Sequence, residues 1–512
     1  MVHPVQSFPP QAGPSPTPQP TDVLIIGAGL GGLAAALHCR ARGLRVTVLE
    51  QTDRPGGKCN HYARDGFTFD TGPSLLTMPD VLKEPFEALG EQIEDHLELL
   101  PVEPGCRYHF SDGSTFDAPG TLDAFEDALI QQWPGEAEGW RRFRRNLTRL
   151  WEMSGPAFLF NPLHPATLRK IPWHKLAAGW AALRPETMRH SLERHFKDPR
   201  LLTLFSRFAT YNGSDPYRTP ATFNVIPYAE LAFGSWTCRG GLYSLVRALE
   251  ALGQRHGVEF HYSRAVEKVT FDKDGIATGA DTSHGHLAAR CVICNADAVA
   301  ARTGTLLADH RRSSTWQKRY QHSEPSVSGF VILAARDSTC PSLGTHNVFF
   351  PSDYTSEFRD IFHHPQPLQD PTIYLSIPAR HSPEMAPTNA EGWFILINAP
   401  SLKGFEKWDN QAYQDRVLDL LYQKLPNCDS SNTRWAISRS PHHLKEQTGA
   451  WFGSIYGPSS NSMFSAFLRV PNFDRRSRMG FAGGSAHPGG GIPLALLSGR
   501  HAATAALRTL RQ

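Results

Sequence analysis

Gly27, Gly29 and Gly32 stand at the spacing G-x-G-x-x-G, and Glu50 follows 18 residues after the last of them. These residue types in this order can bind a dinucleotide. Gly27 permits a tight turn, Gly29 lets the backbone approach a pyrophosphate, and Gly32 lets a helix pack closely on a strand. The anion would sit at the helix N-terminus, where unpaired N–H groups and the helix dipole favour negative charge. Glu50 is placed to bind the adenosine ribose hydroxyls, and its charge disfavours a 2′-phosphate, which argues against NADP. A second glycine pair lies in Arg54-Pro55-Gly56-Gly57-Lys58. It allows another close backbone passage and shifts the choice from NAD toward FAD.

A second chemical segment lies near the C-terminus, where a short apolar run leads into a loop and then a helix. Five of the nine residues 483–491 are glycine, and Pro488 and Pro493 stiffen the loop. Backbone N–H groups exposed at a helix start can contact a flavin ring or its ribityl phosphate. Other chemistries find no support. The chain has no G-x-S-x-G and no H-E-x-x-H, and no metal site is expected. Cys291 and Cys294 form a C-x-x-C, but they lie in the apolar run CVIC, which reads as a buried strand.

Particular elements must position these groups. Residues 23–26 and 46–49 read as parallel strands on either side of the first helix. Gly240-Gly241 opens an amphipathic helix carrying Leu245, Val246, Ala248, Leu249 and Leu252. Strand-like runs follow at 258–262, 265–271 and 290–294. Residues 326–350 and 372–400 alternate like strands of a mixed sheet, and a last helix spans about 492–510. The expected fold is α/β: a Rossmann-like FAD-binding domain, an interleaved mixed-sheet substrate domain and a helical lid facing a membrane. The FAD domain is expected at 21–110, 236–310 and 440–512, and the substrate domain at 111–235 and 311–439.

Bulk properties narrow the class. At 512 residues the chain can hold two or three cores, and a net charge of +3 is too small to suggest nucleic acid. Eight cysteines do not make a disulfide framework, and a reducing compartment is expected. Residues 1–20 are rich in Pro, Gln and Ser, lack an apolar signal region and read as a disordered tail. No stretch of about 20 apolar residues offers a membrane span.

The chain resembles the phytoene desaturase family, the bacterial and fungal FAD-dependent carotenoid desaturases of the amine-oxidase-like flavoprotein group. The resemblance covers nearly everything after residue 20. It rests on the G-A-G-L-G-G-L start with Glu50 and Gly56-Gly57, on Phe69-Asp70-Thr71-Gly72-Pro73-Ser74 and on Tyr211-Asn212-Gly213-Ser214-Asp215-Pro216. It rests also on Arg239-Gly240-Gly241, on Cys294-Asn295-Ala296-Asp297 and on His487-Pro488-Gly489-Gly490-Gly491-Ile492-Pro493. It implies that Gly27, Gly29, Leu30, Gly32, Glu50, Gly57, Lys58, Gly72, Pro73, Ser74, Gly484 and Ile492 contact FAD, with Val266 near the adenine. It further implies hydride transfer from an apolar polyene to the flavin, so the hard chemistry belongs to the cofactor. A weak base would suffice. His487 and Asp215 are the candidates, set against a loop-ordering hydrogen bond for His487 and plain turn geometry for Asp215.

Within the family, phytoene desaturases, hydroxycarotenoid 3,4-desaturases, diapocarotenoid desaturases and terminal-methyl oxygenases share these motifs. Gly483-Gly484-Ser485, where many phytoene desaturases resemble Gly-Ala-Gly, leans toward a member acting later in the pathway. Rival readings are an amine-oxidising flavoenzyme and a Rab-escort-like or GDI-like binding protein that kept the fold. Residues 140–200 hold 13 Lys/Arg against four Asp/Glu, with Trp151, Phe158, Leu159, Phe160, Trp173 and Trp180 among Arg169, Lys170 and Lys175. Aromatics beside basic residues suit the headgroup level of a bilayer, so a cytoplasmic, peripheral membrane protein is expected.

Overall fold

The structure is a computed structural model that describes residues 21–162, 186–462 and 469–510. Two sheets carry it. In the first, strand Thr21–Ile26 lies between Val46–Leu49 and Gly285–Cys294, parallel to both. Glu259–His261 extends one side and Met479–Phe481 the other, again in parallel. Val23, Leu24 and Ile25 are fully buried. A continuous β-branched and leucine run is what a parallel strand covered on both faces requires. Val266–Phe271 and Ala277–Thr282 join by antiparallel pairing through the long strand Gly285–Cys294. Cys291 and Cys294 are buried there with free thiols.

Helix Leu30–Arg40 packs over this sheet, and the C-terminal helix Ile492–Leu510 packs against it. The two approach so closely that a methyl group at Gly499 would fall 2.2 Å from the Gly31 carbonyl oxygen. Helix Tyr243–Arg255 covers the other side of Leu30–Arg40 with Leu245, Val246, Leu249 and Leu252. Asp70 starts that helix by accepting from the Leu242 and Tyr243 N–H groups at 2.8 and 3.0 Å.

The second sheet has seven strands in the order Thr433–Arg439, Ser328–Arg336, Glu391–Ala399, Ile373–Ser376, His346–Phe349, Cys106–His109 and Thr115–Ala118. All neighbours are antiparallel except the pair His346–Phe349 and Cys106–His109. The boundary read near residue 110 falls within its last hairpin. Helices Leu122–Gln132, Ala137–Ser154 and Pro199–Ser206 meet beside it through Phe125, Trp140, Phe143 and Phe205. Helix Ala137–Ser154 buries Trp140, Phe143, Leu147 and Leu150 at helical spacing and exposes Arg141, Arg142, Arg145 and Arg149. Trp140 therefore belongs to the core, not to a membrane-facing surface.

Cys340 and Cys428, 88 residues apart, are joined by a disulfide. The cysteine count did not anticipate this bond. Among the described residues no helix is long and apolar enough to cross a membrane. The expected tail at 1–20, and Arg169, Lys170, Trp173, Lys175 and Trp180, lie outside the described residues.

Candidate active site

Gly27 takes φ +95° between strand and helix, and its N–H donates to the Leu49 carbonyl at 2.7 Å. Gly29 is the N-cap of helix Leu30–Arg40 and offers no capping side chain. The helix's backbone bonding begins with Leu33 N–H donating to Gly29 O at 3.0 Å, so the N–H groups of Leu30, Gly31 and Gly32 have no partner within the helix. A methyl group at Gly32 would lie 2.1 Å from the Gly27 carbonyl oxygen. Gly56 returns alongside, donating to Ala28 O at 3.0 Å, with φ +123° that glycine alone adopts readily.

Glu50 closes this cradle and is 6% exposed. Its Oε2 accepts from Ala28 N–H at 2.7 Å; its Oε1 accepts from the Thr52 N–H and hydroxyl, both at 2.9 Å. One lone pair of Oε2 stays available for a ribose hydroxyl. Val266 starts the strand two residues beyond Arg264, whose N–H donates to the Glu50 carbonyl at 2.8 Å. Asn295 donates from Nδ2 to Gly27 O at 3.2 Å, while its buried Oδ1 has no partner among the described residues. Unpaired N–H groups and a preset acid together fit a dinucleotide.

The C-terminal glycine loop reaches the same place. A methyl group on Gly31 would meet Gly483 N at 2.6 Å, and one on Gly490 would meet the Tyr456 ring at 2.1 Å. Arg469 ties the loop down, donating to Tyr456 O at 2.9 Å, to Asn212 Oδ1 at 2.7 Å and to Gly484 O at 3.4 Å. Burial lowers its pKa to about 10. Lys58 Nζ donates to Ile455 O at 2.5 Å, and burial lowers its pKa, with Asp297 opposing. Gly72 passes so close that a methyl group there would fall 1.8 Å from Lys58 O. Gly57 sits over Gly29, 3.5 Å from its Cα by the same measure.

A cavity of about 600 Å³ opens between these segments, within the range of small-molecule sites. Gly72, Pro73 and Ser74 form part of its wall, as do His487, Pro488, Gly490, Gly491 and Ile492. Much of the remainder is apolar, including Leu75, Met78, Trp151, Phe158, Val225, Ile226 and Leu396. Trp151 stacks on Tyr228 at 5.6 Å and Phe158 meets the His487 ring edge-on at 4.7 Å. This part of the basic and aromatic segment thus covers the cavity.

The two candidate bases separate. His487 lines the cavity and is fully buried. Its Nε2 donates to the Asn161 carbonyl at 3.0 Å, which leaves Nδ1 as a lone pair with no partner among the described residues. Burial lowers its pKa to about 4, so the imidazole is neutral at neutral pH. Asp215 is not among the lining residues. Its Oδ1 accepts from Tyr217 N–H at 2.8 Å and its carbonyl from Arg218 and Thr219, which is turn geometry. Burial raises its pKa.

Two polar groupings in the wall consist, apart from Ser74, of residues that were assigned no role from sequence. Arg207 donates to the Tyr108 and Tyr211 hydroxyls, each at 3.2 Å, and Tyr211 donates to Glu230 Oε2 at 2.7 Å. Ser74 Oγ lies 2.6 Å from the Tyr374 hydroxyl, itself 2.7 Å from His346 Nδ1. Burial lowers the His346 pKa to about 3, aided by His381 and Arg207. One signal was visible: Arg207 is the sole charge in residues 201–209, and Glu230 the sole charge in Val225–Phe233.

Comparison with known proteins bears on these features. Residues 30–507 match the family described as flavin containing amine oxidoreductase. The 1-hydroxycarotenoid 3,4-desaturase of Flavobacterium sp. is 33% identical over 492 residues, covering 93% of this chain and 97% of the relative. The hydroxyneurosporene desaturase of Rhodobacter capsulatus is 36% identical, covering 95% and 98%. The zeta-carotene-forming phytoene desaturase of Myxococcus xanthus is 32% identical, covering 93% and 92%. Among solved structures, cyclohexylamine oxidase from Brevibacterium oxydans has a TM-score of 0.62 at 18% identity, covering 96% of this chain and 100% of that one. An oxidoreductase from Methanosarcina mazei has a TM-score of 0.62 at 17% identity, covering 93% and 99%. At these identities the structures speak to fold alone.

Proposed function

The chain belongs to the flavin-containing amine oxidoreductase family, and from that premise we propose that it is an FAD-dependent carotenoid desaturase. The observation that carries this reading is the largely apolar cavity walled by Gly72, Pro73 and Ser74 and by the C-terminal glycine loop. Full-length relatives named as carotenoid desaturases support it. An amine substrate would need a polar, hydrated pocket instead.

Desaturation takes a hydride from one carbon and a proton from its neighbour. Bound FAD would supply the hydride acceptor. The chain's own residues do the rest. The first-turn N–H groups after Gly29 would hold the pyrophosphate, and Glu50 Oε2 would accept from the adenosine ribose. Gly32, Gly57, Lys58 and Gly72 would shape the passage, Val266 would serve the adenine end, and Gly484 and Ile492 would serve the ring. Leu396, Ile226 and Phe158 hold the polyene and exclude water. Loss of a hydride from an allylic carbon leaves a delocalised cation, so the neutral His487 is basic enough to take the proton at Nδ1.

A carotenoid is nearly insoluble in water, so its enzyme collects it from a bilayer. The surplus of positive charge in residues 140–200 supports docking on a cytoplasmic membrane surface by this segment. The decisive experiment mixes purified, FAD-loaded protein anaerobically with single carotenoids in vesicles and follows flavin bleaching and pigment absorption. Faster turnover of amines than of any carotenoid would overturn the assignment.

A further inference from the structure

Arg207, Tyr211 and Glu230 interrupt the apolar wall of the cavity, and all three line it. Arg207 comes from the helical turn Arg207–Asn212 and Glu230 from helix Val225–Phe233. Each of these two is 8% exposed. The guanidinium lies 5.5 Å from the Tyr108 ring and 5.1 Å from the Tyr211 ring. Among the described residues the two charges are linked only through the Tyr211 hydroxyl, which accepts from Arg207 and donates to Glu230 Oε2. Among the described residues, neither charge has an ion-pair partner within hydrogen-bond reach, and no hydrogen bond reaches Glu230 Oε1. Two of the five guanidinium N–H donors are used.

This arrangement is costly unless something completes it. Burying a carboxylate and a guanidinium loses solvation that a loose, indirect pairing does not restore. The cost shows at Glu230, where burial raises the carboxyl pKa against the pull of Arg207. A cavity built for hydrocarbon alone gains nothing from either residue.

The chemistry of the missing group follows from donors and acceptors. Arg207 can only donate and Glu230 Oε1 can only accept, so the ligand must both accept and donate. A hydroxyl does both. A carboxylate is repelled by Glu230, an ammonium by Arg207, and a plain carbon chain leaves both unpaired. We propose that Arg207, Tyr211 and Glu230 form a recognition site for a hydroxyl group on the polyene, and that the enzyme selects hydroxylated over unhydroxylated carotenoids. This inference rests on the desaturase reading and adds to it the residues that set specificity.

The test compares kcat/KM of the FAD-loaded protein for two carotenoids of equal chain length, one with a terminal hydroxyl and one without, each in vesicles of the same lipid. A site that leaves buried polar groups unpaired should favour the hydroxylated substrate by about 100-fold or more. Glu230→Gln and Arg207→Met should each collapse that ratio to within about tenfold by losing turnover of the hydroxylated substrate, with FAD content retained. Each single substitution leaves the other charge buried alone, so the double variant Arg207→Met/Glu230→Gln provides a neutral site with the same expected loss of ratio. A merely structural pair would lower both rates together and leave the ratio intact, which would overturn the inference. Equal use of both substrates by the wild type would also overturn it while sparing the desaturase reading. Failure of both carotenoids to reduce the flavin would overturn both.

Discussion

Replacing Gly32 with alanine tests whether close packing at the start of the first helix makes the FAD cradle. The added methyl group would lie 2.1 Å from the Gly27 carbonyl oxygen, with Asn295 Nδ2 at 3.1 Å and Asn295 Cβ at 3.3 Å. The nearest atom is backbone, so no rotamer change relieves the overlap. The helix start must retreat by roughly 1 Å, at an overpacking cost of about 1–3 kcal/mol. Alanine's helix preference over glycine offsets up to about 1 kcal/mol of that. The net loss of stability is therefore modest, about 0–2 kcal/mol, and the protein stays folded. Binding has no such offset. The retreat displaces the unpaired N–H groups of Leu30 and Gly31 from the position of the pyrophosphate. A loss of about 1.4–2.8 kcal/mol there weakens FAD binding by about 10- to 100-fold. Fluorescence titration of the apoprotein with FAD reads the affinity, and a urea melt run in parallel reads the fold. Gly135→Ala is the control, because its added methyl group meets nothing within 4 Å. A folded Gly32→Ala protein that binds FAD as tightly as the wild type would refute the reasoning.

Other outcomes follow from the same geometry. His487→Ala should slow flavin reduction by carotenoid at least about tenfold, as general-base losses do, with FAD content intact; an unchanged single-turnover rate would make His487 purely structural. Burial holds His38 and His487 at about 4 and His346 and His501 at about 3, below the usual 6.5. Below pH 6.5 the unfolded chain takes up protons that the native histidines refuse. Stability present above pH 6.5 should therefore fall toward pH 4, by up to about 1.4 kcal/mol per pH unit for each histidine. Urea midpoints that do not change between pH 7 and pH 5 would contradict this burial. Vesicles containing anionic lipid should bind the protein at low salt and release part of it as salt rises, since each basic residue contributes about 1 kcal/mol at the surface. A wild type that sediments alone at low salt would remove the membrane proposal.

The glycines were legible because their demands are local. Gly27 needs a positive φ, and Gly32 leaves room for a carbonyl five residues earlier, so residue type and spacing alone carry the geometry. The same holds for strand Thr21–Ile26 and for helix Ile492–Leu510, whose start was read from a Pro- and Gly-rich loop giving way to an apolar run. Trp140 shows where composition misleads. Counting aromatics and basic residues over 140–200 merges the two faces of helix Ala137–Ser154, while its 3.6-residue period assigns Trp140 to the inner face and Arg141 and Arg142 to the outer. The Cys340–Cys428 bond carried no signal, since 88 residues separate partners that only the second sheet and its helices bring together.

The polar part of the cavity was hidden for a different reason. A lone Arg in an apolar run reads as a residue whose head reaches solvent, and a lone Glu on an apolar helix reads the same way. Only tertiary structure turns both inward, because Arg207 follows helix Pro199–Ser206 directly and Glu230 shares helix Val225–Phe233 with the buried Leu231. Once both are inside, their meaning reverses. An exposed charge is weakly constrained, but a buried one must be satisfied by protein or by ligand. Here the protein supplies one tyrosine hydroxyl between them. The sequence-level rule that a charge belongs outside thus fails at the place where the cavity needs chemical selectivity. The glycine-rich cradle, whose requirements are steric and local, obeys its rules throughout.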